Sequence, residues 1–314
     1  FEEVEMAVGD KISRASYNNI QSTVANILGT GSGNRGYGQP VKSSPVTVSD
    51  SITVNEWNNL ANDLRSIGRH QNGTIPSLPI PSVNEIVKFN SSTEPYTRYE
   101  TVANTFDTNR FLLGANQFIT VNKSGQSRNF SWKNQAECTI TIEFATAEEA
   151  RHFFNTGSLI RISSSRTGGT TTGGPNTIAA QNASWTNLLT TAGDIDFGGG
   201  LPGTGVNPND GQNYFRCRNS FDTYNTETDS SPYGANDWFL QARTPSVSDN
   251  SNGTASTIEI KSIWDDGHVA LGGNPADGVD GTLSISVTTV EARGLLFPSG
   301  PFFQVSSPAV TFSA

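Results

Sequence analysis

The sequence predicts a mainly β protein with interleaved short helices: a β-sandwich or jelly-roll-like body of α+β type, plus a small N-terminal helical region. Three observations predict it. Apolar and polar residues alternate in several short runs from residue 138 onward, the period of a half-buried strand. Two stretches before residue 82 instead repeat apolar residues every three or four positions. Composition couples turn formers (31 Gly, with abundant Ser, Thr and Asn) to 17 Phe, 7 Tyr and 5 Trp, whereas disordered chains lack aromatics. At 314 residues the chain suffices for one large β domain or two smaller ones. The expected division is 1–82, a terminal strand and two helices joined by a Gly/Pro-rich loop, and 83–314, a β-rich body.

In chain order, "SRASYNNIQSTVANIL" places Tyr17, Ile20, Val24, Ile27 and Leu28 on one helical face, and Gly29 reads as the left-handed residue just past its end. The following "GSGNRG" matches the glycine fingerprint of dinucleotide sites, but the fingerprint requires a strand before it and a helix after it. Here a helix precedes, and Pro40 and Pro45 block one from starting after it, so a surface loop is expected and no cofactor is assigned. "TVNEWNNLANDLRSIG" opens with a capping box, Thr53 with Glu56, and carries the stripe Trp57, Leu60, Ala61, Leu64 and Ile67. "TIPSLPIPS" is a stiff extended connector. "YTRYETVANTFDTNRF" sets Tyr99, Val102, Ala103 and Phe106 on one helical face.

In the body, "CTITIEF" alternates Ile140, Ile142 and Phe144 against Thr139, Thr141 and Glu143. "TAEEARHFFNTG" has a second capping box, Thr146 with Glu149, and a stop at Gly157, after which "SLIRISS" resumes as a strand, making a strand–helix–strand unit. "RTGGTTTGGPNT" reads as a loop and "SWTNLLTTAG" as a short helix ending at Gly193. "DWFLQAR", "STIEIKSIW", "TLSISVTTVEA" and "PAVTFSA" read as strands.

The chemistry-bearing residues are sparse. A net charge of −9 disfavours nucleic acid and anionic membrane surfaces, and no apolar run approaches the roughly 20 residues of a membrane helix. The three histidines lack metal-ligand spacing. His152 reads as a solvated partner of Glu148, His70 as a cation favoured beyond a helix end, and His268 as a turn residue. Two acid pairs, Asp194 with Asp196 and Asp265 with Asp266, are the candidates for glycosidase-type chemistry, with turn geometry the plainer explanation. Asp277 and Asp280 lack the terminal Glu of a calcium loop. Cys138 and Cys217 fit either a disulfide or two buried thiols. About six N-x-S/T sequons, Asn72, Asn182 and Asn252 among them, are near chance in so Asn-rich a chain. No catalytic, cofactor or metal residue is assigned.

The termini carry more information. "FEEVE" has neither a basic n-region nor an apolar h-region, so it is not read as a signal peptide, and "MAVGDKIS" reads like a natural start. Val4, Met6 and Val8 alternate with Glu5 and Ala7 at one end, and Val310 and Phe312 with Thr311 and Ser313 at the other. Either such strands complete their own sheet, or they add to the open edge of a neighbouring copy, which repeated head to tail makes a fibre.

Longer runs, "MAVGDKISRASYNNIQSTVANILGTGSGNRGYGQ", "NNLANDLRSIGRHQNG", "YETVANTFDTNRF", "TAEEARHFFNTGSLIRISSSRTGGT", "SWTNLL" and "DGVDGTLSISV", resemble the virion structural, tail-fibre-like proteins of tailed bacteriophages of cyanobacteria and other aquatic bacteria. The resemblance spans most of residues 6–200 and returns near 277–290, while residues 200–260 diverge and "FEEVE" departs from the pattern. It implies a non-enzymatic virion or extracellular filament component with no catalytic residues to carry over. The expected function is therefore a structural subunit that self-assembles with copies of itself. The alternative is a glycan-binding receptor module of a fibre tip, stacking sugar rings on Trp132, Trp185, Trp238 or Trp264, although core packing suits Trp185 and Trp264 better.

Overall fold

The computed structural model of the chain describes residues 12–31, 35–48, 52–72, 76–82, 96–114, 117–174, 177–198, 213–247, 253–268, 278–292 and 309–313. The protein is mainly β, with two antiparallel sheets and five short helices among the described residues. It divides into two compact units. The first comprises residues 1–119, 155–157 and 292–302, and the second 120–154, 158–291 and 303–314. The helical unit thus reaches Ile119 and takes in a third helix that the sequence reading assigned to the body.

Three helices build the first unit: α1 (Arg14–Leu28), α2 (Val54–Asn72) and α3 (Tyr96–Thr108). Ser13 caps α1 by accepting the Ser16 N–H at 3.1 Å. The Thr53–Glu56 box forms reciprocally, with the Thr53 N–H donating to Glu56 Oε2 at 2.8 Å and the Asn55 N–H to Thr53 Oγ1 at 3.2 Å. Both apolar stripes are buried, and Trp57 stands edge-on between Tyr17 (5.5 Å) and Tyr99 (4.9 Å). The extended segment after α1 is held by polar side chains. Buried Asp63 accepts the Lys42 and Ser43 N–H groups, and the Asn18 amide pairs with both backbone groups of Val46.

Two expectations are corrected here. Gly29 caps α1 with extended backbone (φ −72°, ψ −153°), its N–H bonding the Ala25 carbonyl, and the positive φ falls on Gly31 (+75°). Helix α2 does not stop near Gly68. It runs on to Asn72, with buried Gln71 in register with the apolar stripe and its amide nitrogen donating inside the core to Tyr37 Oη (2.9 Å) and the Phe106 carbonyl (2.8 Å).

The second unit is a sandwich-like body. The four-stranded sheet has the order β1 (Phe118–Trp132), β8 (Val279–Ala292), β3 (Leu159–Thr167), β4 (Asp194–Gly198). The five-stranded sheet has the order β5 (Asp222–Thr228), β6 (Asn236–Arg243), β7 (Thr257–Asp266), β2 (Gln135–Glu143), β9 (Ala309–Ser313). Ile140 faces Ile260 and Ile142 faces Ile258 in one sheet, while Ile162 lies between Val287 and Ile195 in the other. These side chains belong to a single core, and Trp264 Nε1 on β7 donates to Ser164 Oγ on β3 at 3.1 Å, tying the sheets face to face.

Helices α4 (Ala147–Asn155) and α5 (Ile178–Ala192) complete the element order. The strand–helix–strand unit is a crossover between sheets, since β2 and β3 lie in different ones. Helix α5 starts at Ile178, capped by Thr177, one and a half turns before the expected Ser184. Its buried side carries Gln181, Trp185, Leu188 and Leu189.

Candidate functional site

The candidate site of the body is the end of its five-stranded sheet. Strand β9 pairs with β2 from Ala309↔Thr141 to Ser313↔Glu137 and closes the strand order, so its other edge has no ladder partner among the described residues. An open edge is a row of backbone donors and acceptors able to template another strand. Alternation decides what each residue does. Val310 points inward and is 9% exposed, next to Ile140, while Ala309 and Thr311 are exposed. Phe312 is half-buried, stacked on Trp264 (6.0 Å between centroids, 17° between planes) and edge-on to Phe130 of β1 at 6.4 Å.

One charged side chain attends this edge. Arg128, on the exposed part of β1, lays its guanidinium 5.0 Å over the Phe130 ring and donates from Nη1 to the Phe312 carbonyl at 3.4 Å. That distance is beyond the usual range for an N–H···O bond, so the cap is weak. Across the fifteen residues of β1 only Trp132 is buried.

The assembly residues named from sequence are therefore divided. Val310 and Phe312 lie in β9, engaged with their own sheet, and Val4, Met6 and Val8 lie outside the described residues. All four tryptophans considered as sugar platforms are core residues, each at most 5% exposed, as expected for Trp185 and Trp264 and as a correction for Trp132 and Trp238. Trp132 packs edge-on to Trp185 at 6.2 Å, and Trp238 Nε1 donates to Ser262 Oγ at 2.8 Å.

The candidate acids differ in their surroundings. Asp196 takes a bidentate pair from Arg161 at 2.7 and 2.9 Å, with Asp194 3.6 Å from the same guanidinium, so the two acids flank a cation. Burial, then Asp237, pushes the Asp265 carboxyl up, and buried Asp266 accepts weakly from Gln181 at 3.5 Å. Asp280 is the hub of a network. Its carboxylate accepts the Thr170 N–H (2.9 Å), the Thr170 hydroxyl (2.8 Å) and the Asn182 amide (2.6 Å), with Arg166 3.7 Å away. Burial raises its pKa, but these bonds and the Arg166 charge outweigh that and hold it below the usual carboxylate range. Its oxygens are occupied by protein donors, and no group of three metal-ligating side chains occurs among the described residues. Asn182 is 3% exposed, which rules its sequon out as a glycosylation acceptor in the folded chain.

The readings of His70 and His152 are corrected as well. His70 lies inside α2, fully buried, with Nε2 donating to the Thr156 carbonyl at 2.8 Å, and burial pushes its pKa down to about 4. It is a neutral core imidazole. His152 is 5% exposed, and burial, then Arg151, lowers its pKa although Glu148 lies 4.0 Å away. His268 is edge-on to Tyr233 at 4.7 Å. Cys138 and Cys217 are free buried thiols, each pushed up to about 12 by burial.

A cleft of about 660 Å³ opens between one side of α5 (Asn182, Ala183, Thr186, Asn187, Thr190) and the loop after β3. At its base buried Arg166 donates to the Asn182, Gly168 and Asp280 carbonyls and to Thr186 Oγ1. The walls are neutral hydroxyls, amides and methyls with no aromatic ring. Comparison with family models, with curated proteins and with solved structures finds no match.

Proposed function

We propose that the chain is a non-enzymatic structural subunit that assembles with its own copies into an extracellular fibre or phage tail appendage, by head-to-tail contacts that include terminal strand addition. The observation that carries this reading is the open edge of β9, formed by the last strand of the sequence and blunted by a single weak arginine cap. An edge that pairs with the neighbour's chain gains main-chain hydrogen bonds, and repetition of a non-closing contact builds a filament. The alternating run Val4, Met6, Val8 supplies a strand of suitable pattern at the other end of the sequence. Further support comes from Asp194, Asp196 and Asp280, which serve ion pairs and a loop tie.

Deleting residues 1–8 is expected to leave a folded protein that no longer polymerises. Electron microscopy of the truncated and full-length chains at matched high concentration decides this. Intact fibres from the truncated chain overturn strand donation.

A further inference from the structure

We infer that the outer edge of β9 is the acceptor for the acidic N-terminal segment of a second copy, and that Arg128 is the residue that reads it. The inference rests on the strand-addition reading and names its acceptor, its donor and the charge that selects between them. Phe130 and Phe312 are both half-buried beside the edge, leaving apolar surface that an added strand would cover. The guanidinium lying over Phe130 is exposed and bonds the Phe312 carbonyl at 3.4 Å. An incoming strand must displace that weak bond to reach the edge, so the Arg128 charge repels basic strands and favours one that brings an anionic partner.

The segment "FEEVEMAV" meets both demands. Val4, Met6 and Val8 supply an apolar face for the two phenylalanines, while Glu2, Glu3 and Glu5 supply carboxylates within reach of a displaced guanidinium. A lone positive charge on an edge is also a device that keeps unpaired sheets from joining indiscriminately. Arg128 is thus a guard against wrong strands and a specificity determinant for the right one.

The test is a charge swap followed by light scattering and electron microscopy of the full chain. Arg128→Glu is expected to slow fibre growth at least about tenfold, since rim charges act mainly on association rate. The triple change Glu2→Lys, Glu3→Lys and Glu5→Lys should slow it comparably, and the combined protein should recover to within about threefold of the starting rate. Arg128→Gln keeps donors but not charge and should fall between; it also serves as the test if the Glu variant melts early. Growth of Arg128→Glu at the original rate, or no recovery in the combined protein, overturns the inference. If deleting residues 1–8 stops fibres while the Arg128 variants leave growth unchanged, this acceptor edge is wrong and strand addition stands. If the full chain forms no fibres at any concentration, strand addition itself fails and the inference with it.

Discussion

His70 is a neutral imidazole in a place where protonation is costly. Its folded pKa of about 4 lies below the ordinary 6.5 because the ring has no water around it. The unfolded chain therefore takes up a proton near pH 6.5 that the folded chain refuses until about pH 4. Stability is full above pH 6.5, falls between 6.5 and 4, and levels off below. From pH 7 to 4.5 the loss at this one residue is about 2 to 3 kcal/mol. His70→Gln, which keeps a side-chain N–H donor, should lose that much less over the same interval in urea denaturation. Equal losses in both proteins would show that the ring is not desolvated. His152, depressed by the same cause, adds to the slope in both. At this scale sequence is a poor guide, because burial decides the behaviour of His70 and neighbours such as Thr156 are distant in the chain.

Helix stops show how one residue type carries different loads. Gly157 (φ +82°) and Gly193 (φ +63°) both end helices in the left-handed region, where a side chain is strained. A Cβ on Gly157 would lie 2.7 Å from the Phe111 carbonyl oxygen, while one on Gly193 meets nothing within 4 Å. Gly193→Ala is therefore expected to cost about 1 kcal/mol from backbone strain, and Gly157→Ala about 3 kcal/mol from strain plus overpacking. Thermal melts of the two variants check this, and equal shifts would remove the steric part. Both stops were legible as Gly at the end of a periodic run. Strands β1 and β5 were not. In β1 the alternation is shallow and is interrupted over residues 125–129, which are exposed on both faces, and the strand is held by pairing with β8. In β5 a register shift between Thr223 and Asn225 breaks the period and places two consecutive buried residues, Tyr224 and Asn225.

Across the whole molecule the apolar residues fall into two separate cores, one among α1, α2 and α3 and one between the sheets. Leu60 and Ile260, both fully buried, belong to different ones. Leu60→Ala and Ile260→Ala should each cost about 2–5 kcal/mol. Calorimetry should resolve two transitions, each variant lowering only one. A single transition moved by both would mean that the cores unfold together. The sequence by itself determined the fold class, the amphipathic helices, the capping boxes and most core strands, because each is written in local periodicity or in residues three positions apart. Only the tertiary structure decided which strand lies at a sheet edge, that Arg128 stands over Phe130 and reaches Phe312, that the tryptophans, His70 and His152 are buried, and that Asp194, Asp196 and Asp280 lie beside arginines. Those facts depend on contacts such as the one linking residue 128 to 312, and local pattern carries no information about separations of that length.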